Sequence, residues 1–189
     1  MNKRLFLVLF LISAAISGFT QKVTINNGHF YSVYDLQIQC PQQVGWTVTP
    51  SDLGDIDREP SWKFVQDLNH PLAVGTHEDY RHSGYDRGHM CPAADRSGDL
   101  LAMRSTFVMS NIAPQTPSMN RGAWKKTEVF CRNAALMYDS VQIIAMPIFL
   151  DRDTTFIGKH RLAVPHAFFK VAWLPKNDSV IGLWFIWNK

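Results

Sequence analysis

The stretch SGYDRGHMCPAADRSGDL, residues 83–100, places three aspartates, two arginines, a histidine and a cysteine within eighteen positions. Its reading decides whether this part of the chain is a solvated loop or half of a reactive site. Ser83 and Gly84 are turn residues, and YDRGHM (85–90) then reads as an extended segment or one arm of a hairpin. Side chains alternate along a strand, so Arg87 and His89 share one face and Asp86 and Gly88 the other. Asp86 is expected to be a structural anchor. The rest, CPAADRSGDL, reads as the loop leading out, with Asp95 and Asp99 as loop carboxylates.

The partner of this segment lies downstream in TPSMNRGAWKKTEVFCRNAALMY (116–138). Thr116, Pro117 and Ser118 form a helix-start signal, since Thr and Ser cap and proline suits the first turn. At 100° per residue, Ala123, Thr127, Phe130, Ala134 and Met137 form one stripe, which the periodicity predicts to be buried. Asn120, Trp124, Glu128 and Arg132 recur at every fourth position on a neighbouring face. Trp124 is expected to pack rather than to stack on a base.

The remaining segments read mainly as strands. HFYSVYDLQIQ (29–39) and VGWTVTP (44–50) are short β segments, whereas SDLGDIDREPS (51–61) is a loop. SVQIIAMPIFL (140–150), VPHAFFKVAWL (164–174) and SVIGLWFIW (179–187) are apolar enough to suggest strands buried on both faces. A β-rich order with one dominant helix predicts an α+β domain.

The first residues, MNKRLFLVLFLISAAISG, have two basic residues, an apolar run and then small residues, the layout of a secretory signal peptide. That run is shorter than the roughly 20 residues a spanning helix needs. The expected organisation is a signal peptide over 1–20 and one domain over 21–189, with a secreted or periplasmic location and no stable membrane association after cleavage. The chain carries 19 basic and 16 acidic residues, and without Lys3 and Arg4 the excess falls to one. Any attraction to a polyanion must then come from a local patch. Arg81, Arg87, Arg96, Arg104, Arg121, Lys125, Lys126 and Arg132 supply one around the two segments described. An oxidising compartment would allow one disulfide among Cys40, Cys91 and Cys131, with Cys91–Cys131 the pairing that would staple strand to helix. His77, His82 and His89 match no standard zinc spacing.

Strand and helix together form a parts list. His89 can serve as a general base near neutral pH. Asn120 offers a hard oxygen to a hard cation such as Mg²⁺. Glu128 can orient metal-bound water. Arg87 and Arg132 can clamp phosphate oxygens. These are the groups that metal-assisted phosphodiester hydrolysis requires.

YDRGHM followed by FVMSNIAPQTPSMNRGAWKKTEVFCR resembles the DNA/RNA non-specific endonucleases, the ββα-metal or His-Me finger nucleases. DRGH, SNIAPQ, MN, the tryptophan and E-x-x-x-R stand in the family's order and spacing over about 50 residues, a far more specific signal than one tetrapeptide. Flanking VYD, GWTV, MPIF and VPHAFFKV extend the likeness over nearly all of the chain after its leader.

The resemblance implies a ββα-metal fold with a central, mostly antiparallel sheet and one metal-site helix. It implies that His89 activates water, that Asn120 is the one direct protein ligand of Mg²⁺ (Mn²⁺ being the alternative), and that Glu128 holds metal-bound water. Arg87 and Arg132 would stabilise the transition state, Arg121 would join them on the substrate, and Asn111 would support the metal-site hydrogen-bond network. Expected substrates are DNA and RNA, without sequence preference, cut to 5′-phosphate products; an inhibitor protein is a further partner to consider. The chain departs from the family where it stops at WFIWNK, since relatives continue with an acidic segment and a TGLDFF-like tail. The competing expectation is an exported nucleic-acid-binding module with a decayed site.

Overall fold

The computed structural model describes residues 21–68, 70, 72–150 and 154–189. The expected signal peptide lies outside the described residues. Among those described, no helix is long and apolar enough to cross a membrane.

The chain opens with three consecutive antiparallel strands, β1 (Lys22–Asn26), β2 (Tyr31–Asp35) and β3 (Cys40–Val48). After a long irregular connection, β4 (Asp86–His89) and β5 (Ile112–Gln115) pair as a separate two-stranded ladder. The short helix α1 (Leu100–Ser105) lies between them. A helical stretch follows in three parts: α2 (Pro117–Met119), a π-turn (Asn120–Trp124) and α3 (Lys125–Tyr138). β6 (Val141–Ile148), the small hairpin β7 (Phe156–Ile157) and β8 (Leu162–Ala163), then β9 (Ala167–Leu174) and β10 (Ser179–Trp187) complete the fold. The main sheet has the order β1-β2-β3-β6-β9-β10 and is antiparallel throughout. This is the α+β architecture read from the sequence.

Under α3 lies the main apolar cluster, which includes Phe30, Val44, Trp46, Met90, Trp124, Cys131, Ile143 and Phe168. The stripe that α3 buries differs from the one its periodicity predicts. Phe130 and Met137 are exposed, whereas Trp124, Thr127, Cys131, Ala134 and Ala135 are buried. The helix is thus rotated so that the face bearing Trp124 meets the sheet, and the smaller residues on that side allow close approach. β10 also departs from expectation. It is an edge strand with Leu183, Phe185 and Trp187 exposed on one face, while Trp184 packs edge-on against Phe130 of α3 at 5.3 Å. Long apolar composition alone does not separate a central strand from an edge strand.

Asp95 and Asp99 are not free loop carboxylates. Asp99 caps α1 by accepting from the Ala102 N–H at 2.7 Å. Asp95 is fully buried. The expected Cys91–Cys131 bridge is corrected as well: Cys40, Cys91 and Cys131 are buried, free thiols. Burial pushes the Cys91 thiol far up and Cys131 to about 12, which suppresses the thiolate that disulfide exchange requires.

β4 is held against β5 through its glycine. A Cβ on Gly88 would come within 2.1 Å of the Gln115 side chain. Gln115 is itself fully buried. Gly88→Ala is therefore expected to destabilise the protein by about 1–3 kcal/mol, as overpacked sites do. Chemical denaturation should show the loss; a variant as stable as wild type would contradict this packing.

Candidate active site

β4, β5 and α3 with its leading π-turn form a ββα unit, and the expected site residues lie on it except Asn111, which ends the 3₁₀ turn just before β5. His89 ends β4. Its ring sits between Phe64, at 5.1 Å, and Phe107, at 4.9 Å with their planes nearly perpendicular. Its Nε2 is buried without a hydrogen-bond partner. Burial, and then the nearby Arg58 guanidinium, lowers its pKa to about 3. The imidazole is thus neutral at physiological pH and able to accept a proton.

Arg58 is a site residue that sequence reasoning missed. Its guanidinium carbon stands 5.0 Å from the Phe107 ring centre and 5.7 Å from that of Phe64, the two rings that hold His89. Only those aromatic neighbours reveal its role, and they are far apart in sequence.

Arg87, two residues before His89, turns its guanidinium onto the His77 carbonyl. Nε donates at 3.2 Å and Nη2 at 2.7 Å, with the Tyr80 ring 5.4 Å away. Asp86 points to the other side, as strand alternation requires. It accepts from Asn120 Nδ2 at 2.9 Å and takes a two-point contact from Arg121, at 2.9 and 2.8 Å. The anchor role expected for Asp86 thus has a specific object: it ties β4 to the first residues of the π-turn. Arg121 is mostly exposed and engaged with Asp86.

A carboxylate can only accept, so the Asn120 amide must turn its NH₂ toward Asp86. That orientation leaves Oδ1 as the atom available to a cation. One turn later the Trp124 indole donates to the His89 carbonyl at 3.1 Å. Trp124 packs, as expected, but it also locks the helix to the strand. The helical stretch opens here with a π-turn, a feature common at functional sites.

Glu128 lies on the same face, half-buried. Burial pushes its carboxyl up to about 7, against the pull of the buried Lys170 ammonium. Lys170, fully buried on β9, donates to Thr127 Oγ1 at 2.9 Å and sits 3.6 Å from the Trp124 ring centre. Arg132 pairs with Asp95 at 2.9 Å, and Asp95 also accepts from Trp46 Nε1 at 2.8 Å. Arg132 is therefore held from beneath. Asn111 is fully buried and bonds to the Cys91 N–H, the Cys91 carbonyl and the Thr106 carbonyl. Those bonds fix the exit of β4; they do not reach Asn120 or Glu128.

The fold thus builds a ββα unit with a histidine on the strand and an asparagine at the helix start. Comparison with known proteins shows the family. A family model described as DNA/RNA non-specific endonuclease matches residues 11–187, and the chain belongs to that family. It is 39% identical over 139 residues to human Endonuclease G, mitochondrial, covering 69% of this chain and 47% of that protein. It is 36% identical over 160 residues to the Mitochondrial nuclease of Saccharomyces cerevisiae, covering 77% of this chain and 49% of that protein. A chain in the crystal structure of the EndoG/EndoGI complex superposes with a TM-score of 0.80 at 26% identity, covering 96% of this chain and 80% of that one. The chain spans about half the length of these curated relatives. The expectation of a secreted or periplasmic protein is corrected. The human and yeast relatives, and Nuclease 1 of Schizosaccharomyces pombe, are named mitochondrial, which speaks against the export reading.

Two consequences can be measured. Asp95→Ala leaves the Arg132 guanidinium and the Trp46 N–H without their buried partner, and should cost about 3–5 kcal/mol in denaturant unfolding. His89 protonates near 6.5 in the unfolded chain but only near 3 in the folded one. Protons therefore bind the unfolded state first, and His89 subtracts stability as pH falls through that window. Tm of His89→Gln relative to wild type should rise between about pH 7 and pH 4; a constant difference would show that His89 is not held neutral.

Proposed function

We propose that residues 21–189 form an endonuclease domain that hydrolyses phosphodiester bonds of DNA and RNA without reading sequence, using Mg²⁺. The observation that supports this reading is the pair of cross-bonds, Asn120 to Asp86 and Trp124 to the His89 carbonyl, which tie the strand bearing the proposed base to the helix start bearing the proposed ligand. The donor set suits a hard, hydrated cation. Asn120 supplies a neutral oxygen and Glu128 a carboxylate able to orient water, and among the described residues no group of three or more His, Cys, Asp or Glu side chains converges. Such an ion, when bound, supplies positive charge at the leaving 3′-oxygen.

The chain's own residues supply the rest. His89 accepts a proton from the attacking water. Nε2 is shut off from solvent, so Nδ1 is the ring nitrogen that performs this step. Binding of a phosphate beside the Phe64–His89–Phe107 stack offsets the Arg58 charge and raises the basicity of His89. Arg58 and Arg87 place their guanidinium groups on phosphate oxygens and stabilise the charge that develops there. Arg121 and Arg132 add positive charge along the strand path, the former from the surface and the latter from its buried pair. The products expected of this reading carry 5′-phosphates, since the bond to break is the one to the 3′-oxygen. Because the structural relative is a chain of an EndoG/EndoGI complex whose description concerns EndoG inhibition, an inhibitor protein is a partner worth testing for this chain too. The competing reading, a binding module with a decayed site, leaves the retained base, oriented amide and arginines without a use.

Plasmid digestion with Mg²⁺, with and without EDTA, tests the proposal. Wild type should cut both plasmid DNA and RNA only when metal is free. His89→Ala should lose at least about 100-fold in rate, a loss in the range of general-base removal, while still binding DNA. Asn120→Ala should need more metal for half-maximal activity. Cleavage that survives EDTA, or a fully active His89→Ala, would overturn the mechanism.

A further inference from the structure

Arg87 has an unusual support. Its Nε and Nη2 edge is committed to one backbone oxygen, that of His77. A guanidinium has five N–H donors, so the other edge stays available to a ligand. Its direction is set by the His77 carbonyl and the face of Tyr80. Those two residues begin and end one four-residue 3₁₀ turn, His77–Tyr80. So short a turn has little hydrogen bonding of its own and takes its geometry from what braces it.

The brace is Asp79. Its side chain is almost wholly buried and accepts four bonds. Two come from Thr76, whose N–H and hydroxyl both donate at 2.7 Å and close the start of the turn. Two come from His160, whose backbone N–H donates at 3.0 Å and whose Nδ1 lies at 2.8 Å. Against a carboxylate, Nδ1 must carry the proton. His160 belongs to the turn of the β7–β8 hairpin, about eighty residues downstream. Gly158 in that turn adopts φ +67°, and a Cβ there would fall 2.3 Å from Asp79 Cβ. The hairpin turn therefore lies flush against the aspartate, with no space between them.

We propose that Asp79, braced by His160, is a positioning residue that aims Arg87 at the scissile phosphate. The inference rests on reading Arg87 as a phosphate contact. It gives the β7–β8 hairpin, which carries none of the expected site residues, a role in catalysis. A misaimed catalytic group can cost up to about 100-fold even when the mutated residue lies away from the chemistry.

The test is a double-mutant cycle on plasmid cleavage with Mg²⁺, reading kcat and KM separately, with Tm as a control. Asp79→Asn in the wild-type background should lower kcat by roughly tenfold or more. In the Arg87→Ala background the same change should lower it by less than about twofold, because the aim of an absent side chain no longer matters. His160→Ala, which leaves the Thr76 bonds intact, should show the same dependence on Arg87 and serves if Asp79→Asn fails to fold. His160→Asn, which keeps a donor near the Nδ1 position, should recover most of the lost kcat. An equal loss in both backgrounds would overturn the positioning role alone and leave Arg87 as assigned. Full activity in Arg87→Ala would overturn both.

Discussion

The site depends on two hydrogen bonds between a strand and a helix start. Asp86 accepts from Asn120, and the His89 carbonyl accepts from the Trp124 indole. Each is ordinary in strength, a net of about 1 kcal/mol. Their importance is geometric. His89 and Asn120 come from segments far apart in sequence, and these cross-links hold the two segments in register. Trp124 is fully buried, so its N–H has no water to turn to if the strand shifts. The helix and β4 therefore have one favourable arrangement.

Beneath that joint lies a set of buried charges. Lys170, Glu128, Arg132 and Asp95 all act on one another through the interior beneath α3. Asp95 and Arg132 form a direct pair, whereas Lys170 relies on the Thr127 hydroxyl and the Trp124 ring for close contacts. Burial opposes three of these charges, raising the Asp95 and Glu128 carboxyls and lowering the Lys170 ammonium. An apolar core would be simpler to stabilise. The arrangement holds Arg132 from below through Asp95 and surrounds Glu128 with both signs of charge.

The sequence made the parts of the site legible and left their supports hidden. His89, Asn120, Glu128 and the arginines were readable because their chemistry is distinctive and their spacing is short. The anchor role of Asp86 followed from strand alternation alone. Asp95 was misread because a carboxylate in a polar loop looks solvated until a distant strand and helix, bearing Trp46 and Arg132, close over it. The buried face of α3 was misassigned for a related reason. Phe130 and Met137 are the larger apolar residues, but the sheet receives the side where Trp124, Cys131 and two alanines let the backbone come close. Arg58 and Lys170 carry no local signal at all.

The amino-acid sequence by itself determined the alternation that splits Asp86 from Arg87 and His89, the strand-rich α+β composition, and the set of side chains from which the proposed site is built. These are properties of neighbours within a few residues, where backbone periodicity dictates direction. The tertiary structure alone decided that the Asn120 amide turns its NH₂ to Asp86, that the Arg87 fork is held by a turn which Asp79 and His160 brace, and that His89 stays neutral between two phenylalanines. Each of these is set by contacts between segments tens of residues apart. Such contacts arise from burial, which removes water as the competing partner and so fixes which donor meets which acceptor.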